Sequence, residues 1–561
     1  MNQSIEITIE NKVFSFPCGT TLKDILLNSE IFLDDNYQNN PIVAAKVNFE
    51  LMSLSEPLTY NATIIPVYLF SSLGKRIYRK SICYLLCCAA HNIFPSRRLR
   101  ISHSLGDGYH FRFDKVEDIN ENEVAKISEE MKRLVQEKKD ITIRVLPYQS
   151  AIDYFINRNF GFSQTVEILK YEHTANVKLY GLDSFMDRCD EPVVYNTSVL
   201  DLWELRKYNV GGMLLRYPRS SDFTVLQTYK NNPLLFSIFE EYRKWNSILQ
   251  MESIGQLDTY SRNHNISSYI RLAETLQWKK ISAIADMIYE RDCVKVIFVA
   301  GPSSSGKTTF TYKLGINLTV LGKKPILISL DNYYKTRENV PIDKDGNKDF
   351  EAMEALDLEY FQQNIKDLYN GLEVDLPSFN FKLNRREFKN KPIKMESDTI
   401  FIIEGIHGLN PNLLPNIDVK STFRVYISAL TQLNVDDHNR VSTTDNRILR
   451  RICRDSMTRG VDAKTTLDMW LIVQAGENKH IFPYQNNADV MLNSAVDYEL
   501  GALRTIVEPL LKTIEPSNSE AFAIASRLLN ILEKVYPIPS SLVPKDALLR
   551  EFIGGSEFDI T

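Results

Sequence analysis

Residues 301–308 read GPSSSGKT and follow the apolar run VKVIFVA. A strand running into G-x-x-x-x-G-K-T, with the helical stretch TTFTYKLGINLTVLG overlapping its end, has the pattern of a phosphate cradle. In such a loop the backbone N–H groups of Ser303, Ser304, Ser305, Gly306 and Lys307 point inward around a β-phosphate. The Lys307 ammonium then spans the β- and γ-phosphates, and the Thr308 hydroxyl reaches a Mg²⁺ ion. Gly301 and Thr309 complete the loop, and the helix N-terminus adds partial positive charge. The spacing predicts a site for a nucleoside triphosphate and its metal.

The residues downstream bear on what receives the phosphate. ISLDNYYK closes a second apolar run with Asp331, where a general base toward a hydroxyl acceptor is expected. DTIFIIEG ends in Glu404, placed to hold Mg²⁺ or its waters. In NRILRRICRDSMTRG, Arg447, Arg450, Arg451, Arg454 and Arg459 crowd one helix and its exit, with only Asp455 to offset them locally. Such a cluster is expected to act as a lid, closing on phosphates whose γ-oxygens gain charge during transfer. The sequence carries no N-K-x-D base-reading motif of a GTPase switch, so it points to a small-molecule acceptor rather than water.

These groups need a rigid frame. From residue 291 the runs VKVIFVA, KPILISL, DTIFIIEG, TFRVYIS and ADVMLNS alternate with helical stretches, which predicts a parallel sheet flanked by helices. The chain has 561 residues, too many for one core, and an α/β multidomain architecture is expected. Residues 1–70 read as a small unit of alternating strands with a short helix from Thr20 or Thr21. Residues 71–230 read as an α+β module in which Asn122 opens an amphipathic helix, and 231–290 as a helical connector. The nucleotide-binding domain takes 291–540, and 541–561 form a tail. A net charge of -5 gives no global argument for nucleic acid. Seven cysteines without paired spacing exclude a disulfide framework and point to a reducing, cytoplasmic setting. SICYLLCCAAHNIF is too short and polar to span a bilayer, so no membrane partner is expected.

With GPSSSGKTT, LDNYY, DFEAMEALD, LPSFNF, EGIHGLN and RRICRDSMTRG in this order, the block from 294 to about 500 resembles the uridine kinase and phosphoribulokinase family of P-loop kinases. The resemblance implies ATP and Mg²⁺ as cofactors and a ribonucleoside, uridine or cytidine, as acceptor of phosphate at its 5′-hydroxyl. It implies that Lys307, Asp331, Arg450 and Arg454 are catalytic, that Arg451 and Arg459 join the loop on the nucleotide, and that Thr308 and Glu404 hold the metal. Asp331, Tyr333, Glu351, Phe379, Asn384 and Arg386 would surround the acceptor. The chain departs from the family where Phe379, Asn380 and Asn384 replace a tyrosine, an aspartate and a histidine, and where Glu351 and Glu354 replace aspartates. A sugar or sugar phosphate therefore stays open as acceptor, as does an RNA-binding regulator gated by nucleotide.

The first 70 residues resemble the TGS module, and 71–230 resemble the second, editing domain of threonyl-tRNA synthetase. In that domain's H-S-x-x-H and C-x-x-x-H motifs, Lys80, Tyr84 and Val193 stand at histidine positions and only Cys189 matches. One thiol cannot make a zinc site. His91, His103 and His110 read as loop or surface residues. The N-terminal half is expected to sense or dock without catalysis. RNA or tRNA binding by it, and assembly into a homo-oligomer, are left open.

Overall fold

The computed structural model describes residues 4–27, 40–106, 108–114, 118–158, 163–172, 174–208, 212–219, 222–342, 346, 348–380, 383, 385–388 and 390–558. The first sheet runs β2-β1-β5-β3-β4, built from β1 (Ser4–Ile9), β2 (Lys12–Pro17), β3 (Ile42–Val47), β4 (Glu50–Ser53) and β5 (Ala62–Tyr68), with β1 and β5 parallel. Alternation in SIEITI puts Ile5, Ile7 and Ile9 on one face, against Leu22, Ile25 and Leu26 of α1 (Leu22–Leu27).

Next come α2 (Ser72–Ile93), β6 (Leu99–Ser104), β7 (Gly108–Phe113), α3 (Glu121–Gln136), β8 (Thr142–Pro147), α4 (Tyr148–Arg158), α5 (Gln164–Leu169), β9 (Asn176–Leu182), β10 (Phe185–Asp187), β11 (Glu204–Lys207) and β12 (Met213–Arg216). They make a sheet β11-β12-β7-β6 and a smaller one, β10-β9-β8. The cap of α3 is Asn120 rather than Asn122: it accepts from the Glu123 N–H while the Glu123 carboxylate accepts from the Asn120 N–H. Helices α6 (Pro233–Leu249), α7 (Ile254–Arg262) and α8 (Ile266–Tyr289) lead to the C-terminal layers.

There β13 (Val296–Ala300), β14 (Lys324–Ser329), β17 (Thr399–Glu404), β18 (Thr422–Ser428) and β19 (Val490–Asn493) form a parallel sheet in the order β14-β17-β13-β18-β19. A short hairpin, β15 (Pro377–Asn380) and β16 (Arg385–Phe388), stands apart from it. All five residues of β13 are buried, as a strand covered on both faces requires. Ile297 and Val299 face α9 (Lys307–Val320), whereas Val296 and Phe298 share a core with α10 (Leu358–Tyr369). Ile281, Ile284 and Ile288 of α8 and Leu548 near the C-terminus join the first of these cores. Both the connector's last helix and the expected tail are thus built into the layers around the sheet. The remaining helices are α11 (Thr443–Arg454), α12 (Ala463–His480), α13 (Glu499–Leu511), α14 (Glu520–Leu532) and α15 (Arg550–Ile553). Among the described residues, no helix is long and apolar enough to cross a membrane.

The two halves interlock through the segment between β18 and α11. Asp436 accepts from the N–H groups of His438 (3.0 Å) and Asn439 (2.9 Å), which closes the turn DDHN. The turn sits between α2, β6 and residues 187–190. Asp437, 1% exposed, pairs with Arg98 and lies 3.7 Å from Arg100. Its carbonyl accepts from Ile101 N–H at 2.9 Å. His438 pairs with Asp187, Lys80 donates to Asn439, and Asn434 donates to the Ile101 carbonyl at 2.7 Å.

Candidate active site

The loop from Gly301 to Gly306 leaves the carboxyl end of β13 and enters α9, as the motif requires. A Cβ on Gly301 would lie 2.1 Å from the Ile427 carbonyl, so only glycine lets the loop pass β18. Ser304 is held at φ +60°, a costly conformation for a residue with a Cβ. Lys307 Nζ donates to the carbonyls of Gly301 (3.1 Å) and Pro302 (3.2 Å). The Ser304 and Ser305 hydroxyls are buried and have no protein partner. Orphaned hydroxyls beside a lysine whose bonds are all to carbonyls fit a group of phosphate oxygens.

Helix α11 lies against this loop from behind. Arg447 donates to the Ser303 carbonyl at 2.9 Å and pairs with Glu477 of α12. Arg450 pairs with Glu499 and donates to the Ser494 carbonyl at 3.0 Å. Arg451 donates to Ser303 Oγ at 2.9 Å. Asp455 is shared by Arg451 (3.3 Å), Arg454 (3.1 Å) and Arg459 (3.5 Å), and residues Asp455–Arg459 form a π-helical turn. The expectation of a lid whose charge only Asp455 offsets is therefore corrected. Arg447 and Arg450 have buried carboxylates of their own from α12 and α13, and they brace the loop. Arg454 and Arg459, at the helix exit, are the more exposed members.

Three carboxylates that motif reading missed touch this assembly. Glu477 accepts from the Ser303 N–H at 2.8 Å, an N–H that the sequence assigns to phosphate. Glu551 accepts from the N–H and hydroxyl of Thr309 at 3.0 and 2.9 Å, so the expected nucleotide contact of Thr309 is already engaged by the protein. Glu499 completes the set through Arg450. Each lies in an ordinary helical stretch, and their signal would have been the arginines' need for buried partners.

On the acceptor side, the register aligns Val299 and Ser329 with Glu404, and Asp331 follows two residues beyond Ser329. Ser329 Oγ donates to Glu404 at 2.7 Å. Burial and then the charge of Asp331 push the Glu404 carboxyl up to about 7, with Lys307 opposing. Burial and Glu477 likewise push Glu351 to about 7, with Arg451 and Lys307 opposing and Asp331 adding to the rise. A Cβ on Gly476 would lie 2.4 Å from that of Glu351, so this glycine lets Glu351 reach α12. Asp331, Glu351, Glu404, Glu477 and Lys307 thus share one electrostatic field. Thr308, half-buried, stands at the start of α9. The cradle and its carboxylates suit a nucleotide with a hard cation, which Thr308 and Glu404 would hold.

Two expected acceptor residues are engaged elsewhere. Tyr333 is 1% exposed and packs on Phe361 (centroids 5.1 Å apart), with its phenol pushed up to about 12 by burial. Arg386 donates to Asp357 at 2.9 Å and to the carbonyls of Tyr333 and Tyr334, which ties the hairpin to the LDNYY turn. Phe379, half-buried on β15, donates its N–H to Asn332 at 3.0 Å. Asn384 lies outside the described residues. In the N-terminal half, Lys80 bonds the DDHN turn, Tyr84 donates to the Tyr180 carbonyl at 2.9 Å, and Val193 is fully buried. His103 and His110 are not surface residues: they are 4% and 2% exposed on β6 and β7.

Residues 296–500 match the phosphoribulokinase/uridine kinase family. The uridine kinase of Macrococcus caseolyticus (strain JCSC5402) is 33% identical over 199 residues, which are 35% of this chain and 86% of that protein. The chain belongs to this family. The uridine kinase of Staphylococcus haemolyticus (strain JCSC1435) is 29% identical over 220 residues, 38% of this chain and 96% of its own. That of Staphylococcus carnosus (strain TM300) is 29% identical over 199 residues, 35% and 86% of the two chains. As a member of this kinase family, the protein is a nucleotide-binding phosphotransferase with an alcohol acceptor. The match leaves the first 295 residues outside it.

Proposed function

We propose that the protein is an ATP- and Mg²⁺-dependent kinase that phosphorylates the 5′-hydroxyl of a ribonucleoside such as uridine or cytidine. The observation that carries this reading is the convergence of Lys307, Asp331, Glu351 and Glu404 at the carboxyl ends of adjacent parallel strands. ATP would supply the phosphoryl group, and a bound Mg²⁺ would offset the charge that develops on it. Lys307 turns from its loop carbonyls to the phosphates, and Thr308 and Glu404 would hold the metal. Asp331 takes the proton of the acceptor hydroxyl, and Glu351 accepts hydrogen bonds from the vicinal ribose hydroxyls. Arg451, Arg454 and Arg459 face the phosphates, whereas Arg450 fixes the loop from behind.

The N-terminal half serves as a non-catalytic docking or sensing module. Its β2-β1-β5-β3-β4 order supports the likeness of residues 1–70 to a TGS unit, and the helix-and-sheet arrangement of 71–230 supports the likeness to the synthetase module. The test is a panel of ribonucleosides, 2′-deoxynucleosides, sugars and sugar phosphates, with ATP consumption and product mass measured. Uridine or cytidine should be converted to a 5′-monophosphate, and their 2′-deoxy forms should be converted more slowly because Glu351 is left unpaired. Turnover of a sugar with none of any nucleoside would overturn the substrate class. ATP hydrolysis driven by RNA alone would overturn the kinase reading.

A further inference from the structure

A cavity of about 50 Å³ lies where β6 and β7 meet α6 and the segment that follows β18. It has room for a tetrahedral oxyanion or a few waters. Arg112 and Arg243 line it, together with Ser102, His103, Asn246 and the Glu252 carboxylate, which is paired to Arg100. Gln432 and Asn434 close it from the kinase side. The carboxylates around it are taken up by arginines other than Arg112. Arg100 is neutralised by Asp114 at 3.0 Å and Glu252 at 2.6 Å, and Arg243 by Glu240 at 3.0 Å. Arg112 has no ion-pair partner among the described residues. Burial, Arg243 and Arg100 depress its guanidinium below the ordinary arginine value, and the opposing charges of Asp114 and Glu252 do not restore it.

Two polar groups in the wall are also orphaned. His103 is 4% exposed, stacked on Phe239 with centroids 4.1 Å apart, and its Nε2 has no partner. The buried Ser102 hydroxyl has none either. Burial and the neighbouring His110 hold the His103 imidazole well below its ordinary value, so it is neutral and carries one N–H. A buried donor without an acceptor costs stability, and one anion would satisfy all of these groups together.

We propose that this cavity binds a phosphate-sized oxyanion, held by Arg112 and Arg243, with the Ser102 hydroxyl and the His103 N–H as further donors. The site joins the N-terminal half to the segment that carries the DDHN turn and leads into α11. The anion is a phosphate, free or as the end of a small ester. The test is calorimetric titration of the full chain with inorganic phosphate and, separately, with glycerol 3-phosphate. The nucleotide cradle is first filled with a non-hydrolysable ATP analogue and Mg²⁺, so that it does not report. One saturable site per chain is expected for inorganic phosphate, or for the ester if that is the form bound. Arg112→Met should weaken it by at least tenfold. Arg243→Gln, a change on a more exposed side chain, should weaken it similarly and decides the matter if Arg112→Met does not fold. The absence of binding by both ligands would overturn the proposal, as would binding that these variants leave unchanged.

Discussion

Replacing Arg450 with methionine separates bracing from catalysis. Its side chain is fully buried, and that of Glu499 is 2% exposed. Without the guanidinium, the Glu499 carboxylate keeps only the Asn446 amide as a side-chain partner among the described residues. An uncompensated buried charge of this kind costs about 3–5 kcal/mol. Methionine keeps most of the volume against Phe552, so little of the loss comes from a cavity. Arg450→Met should lower the denaturant midpoint of the C-terminal half, read through Trp470 and Trp278, and turnover should fall only as folded protein is lost. Glu499→Gln alone should also destabilise. The double variant should recover most of the loss, giving a coupling of about 2 kcal/mol or more and near-normal turnover. If Arg450→Met stays within about 1 kcal/mol of wild type yet loses turnover about 10²-fold, Arg450 touches the phosphoryl group and the bracing argument fails.

Asp331→Asn should lower turnover about 10²-fold while ATP affinity changes little, the scale of a lost general base; a collapse of ATP affinity instead would assign Asp331 to the metal. Glu477→Gln removes a negative charge from the Ser303 N–H and frees Arg447, so ATP should bind about tenfold tighter, or ~1.4 kcal/mol, measured by titration; unchanged or weaker binding would show that Glu477 does not compete with phosphate. The Asp187–His438 pair sets a pH dependence. Burial acts against it, but Cys87 and Asp187 hold the His438 imidazole well above its ordinary value. A raised folded-state value means that the pair's stabilisation is full below about pH 6.5 and is lost as pH rises through the folded value. Unfolding across that alkaline range should show the loss, and His438→Asn should remove it; an identical pH profile for the variant would refute the assignment.

The parallel sheet, the loop at 301–308 and the placement of Asp331 and Glu404 were legible because each rests on a local pattern. An apolar run with a polar group at its carboxyl end states both the strand and the residue it presents. The same reasoning overreached at Tyr333 and Arg386. A motif gives the identity of a residue but not the direction of its side chain, and here both turn toward the core and the hairpin. Glu477, Glu499 and Glu551 were illegible for a different reason. Glu477 and Glu551 meet the loop from 174 and 242 residues along the chain, Glu499 reaches it only through Arg450, and nothing in their flanking sequence marks them. His103 and His110 looked like surface residues because the alternation around them is imperfect, and they are covered by Phe239 and Phe236 of a distant helix.

The joint between the halves bears on whether the N-terminal residues are a tether or part of the machine. A tether needs an exposed, polar connection, whereas Asp437 is buried with Arg98 and Arg100 against it. Buried ion pairs add little net stability but penalise any alternative placement, because a shifted turn would strand one charge away from water. The DDHN turn is therefore fixed in register against β6. Three residues beyond Asn439, Ser442 caps α11, and Arg447 on the next turn and a half holds the Ser303 carbonyl. Only Arg440, buried Val441 and Ser442 separate the buried turn from the helix that braces the loop. A displacement of the N-terminal module must move α11, strain the turn or break its ion pairs, and each of these alters the cradle's support. On this geometry the placement of the N-terminal half and the support of the cradle are tied together through one buried turn and one helix.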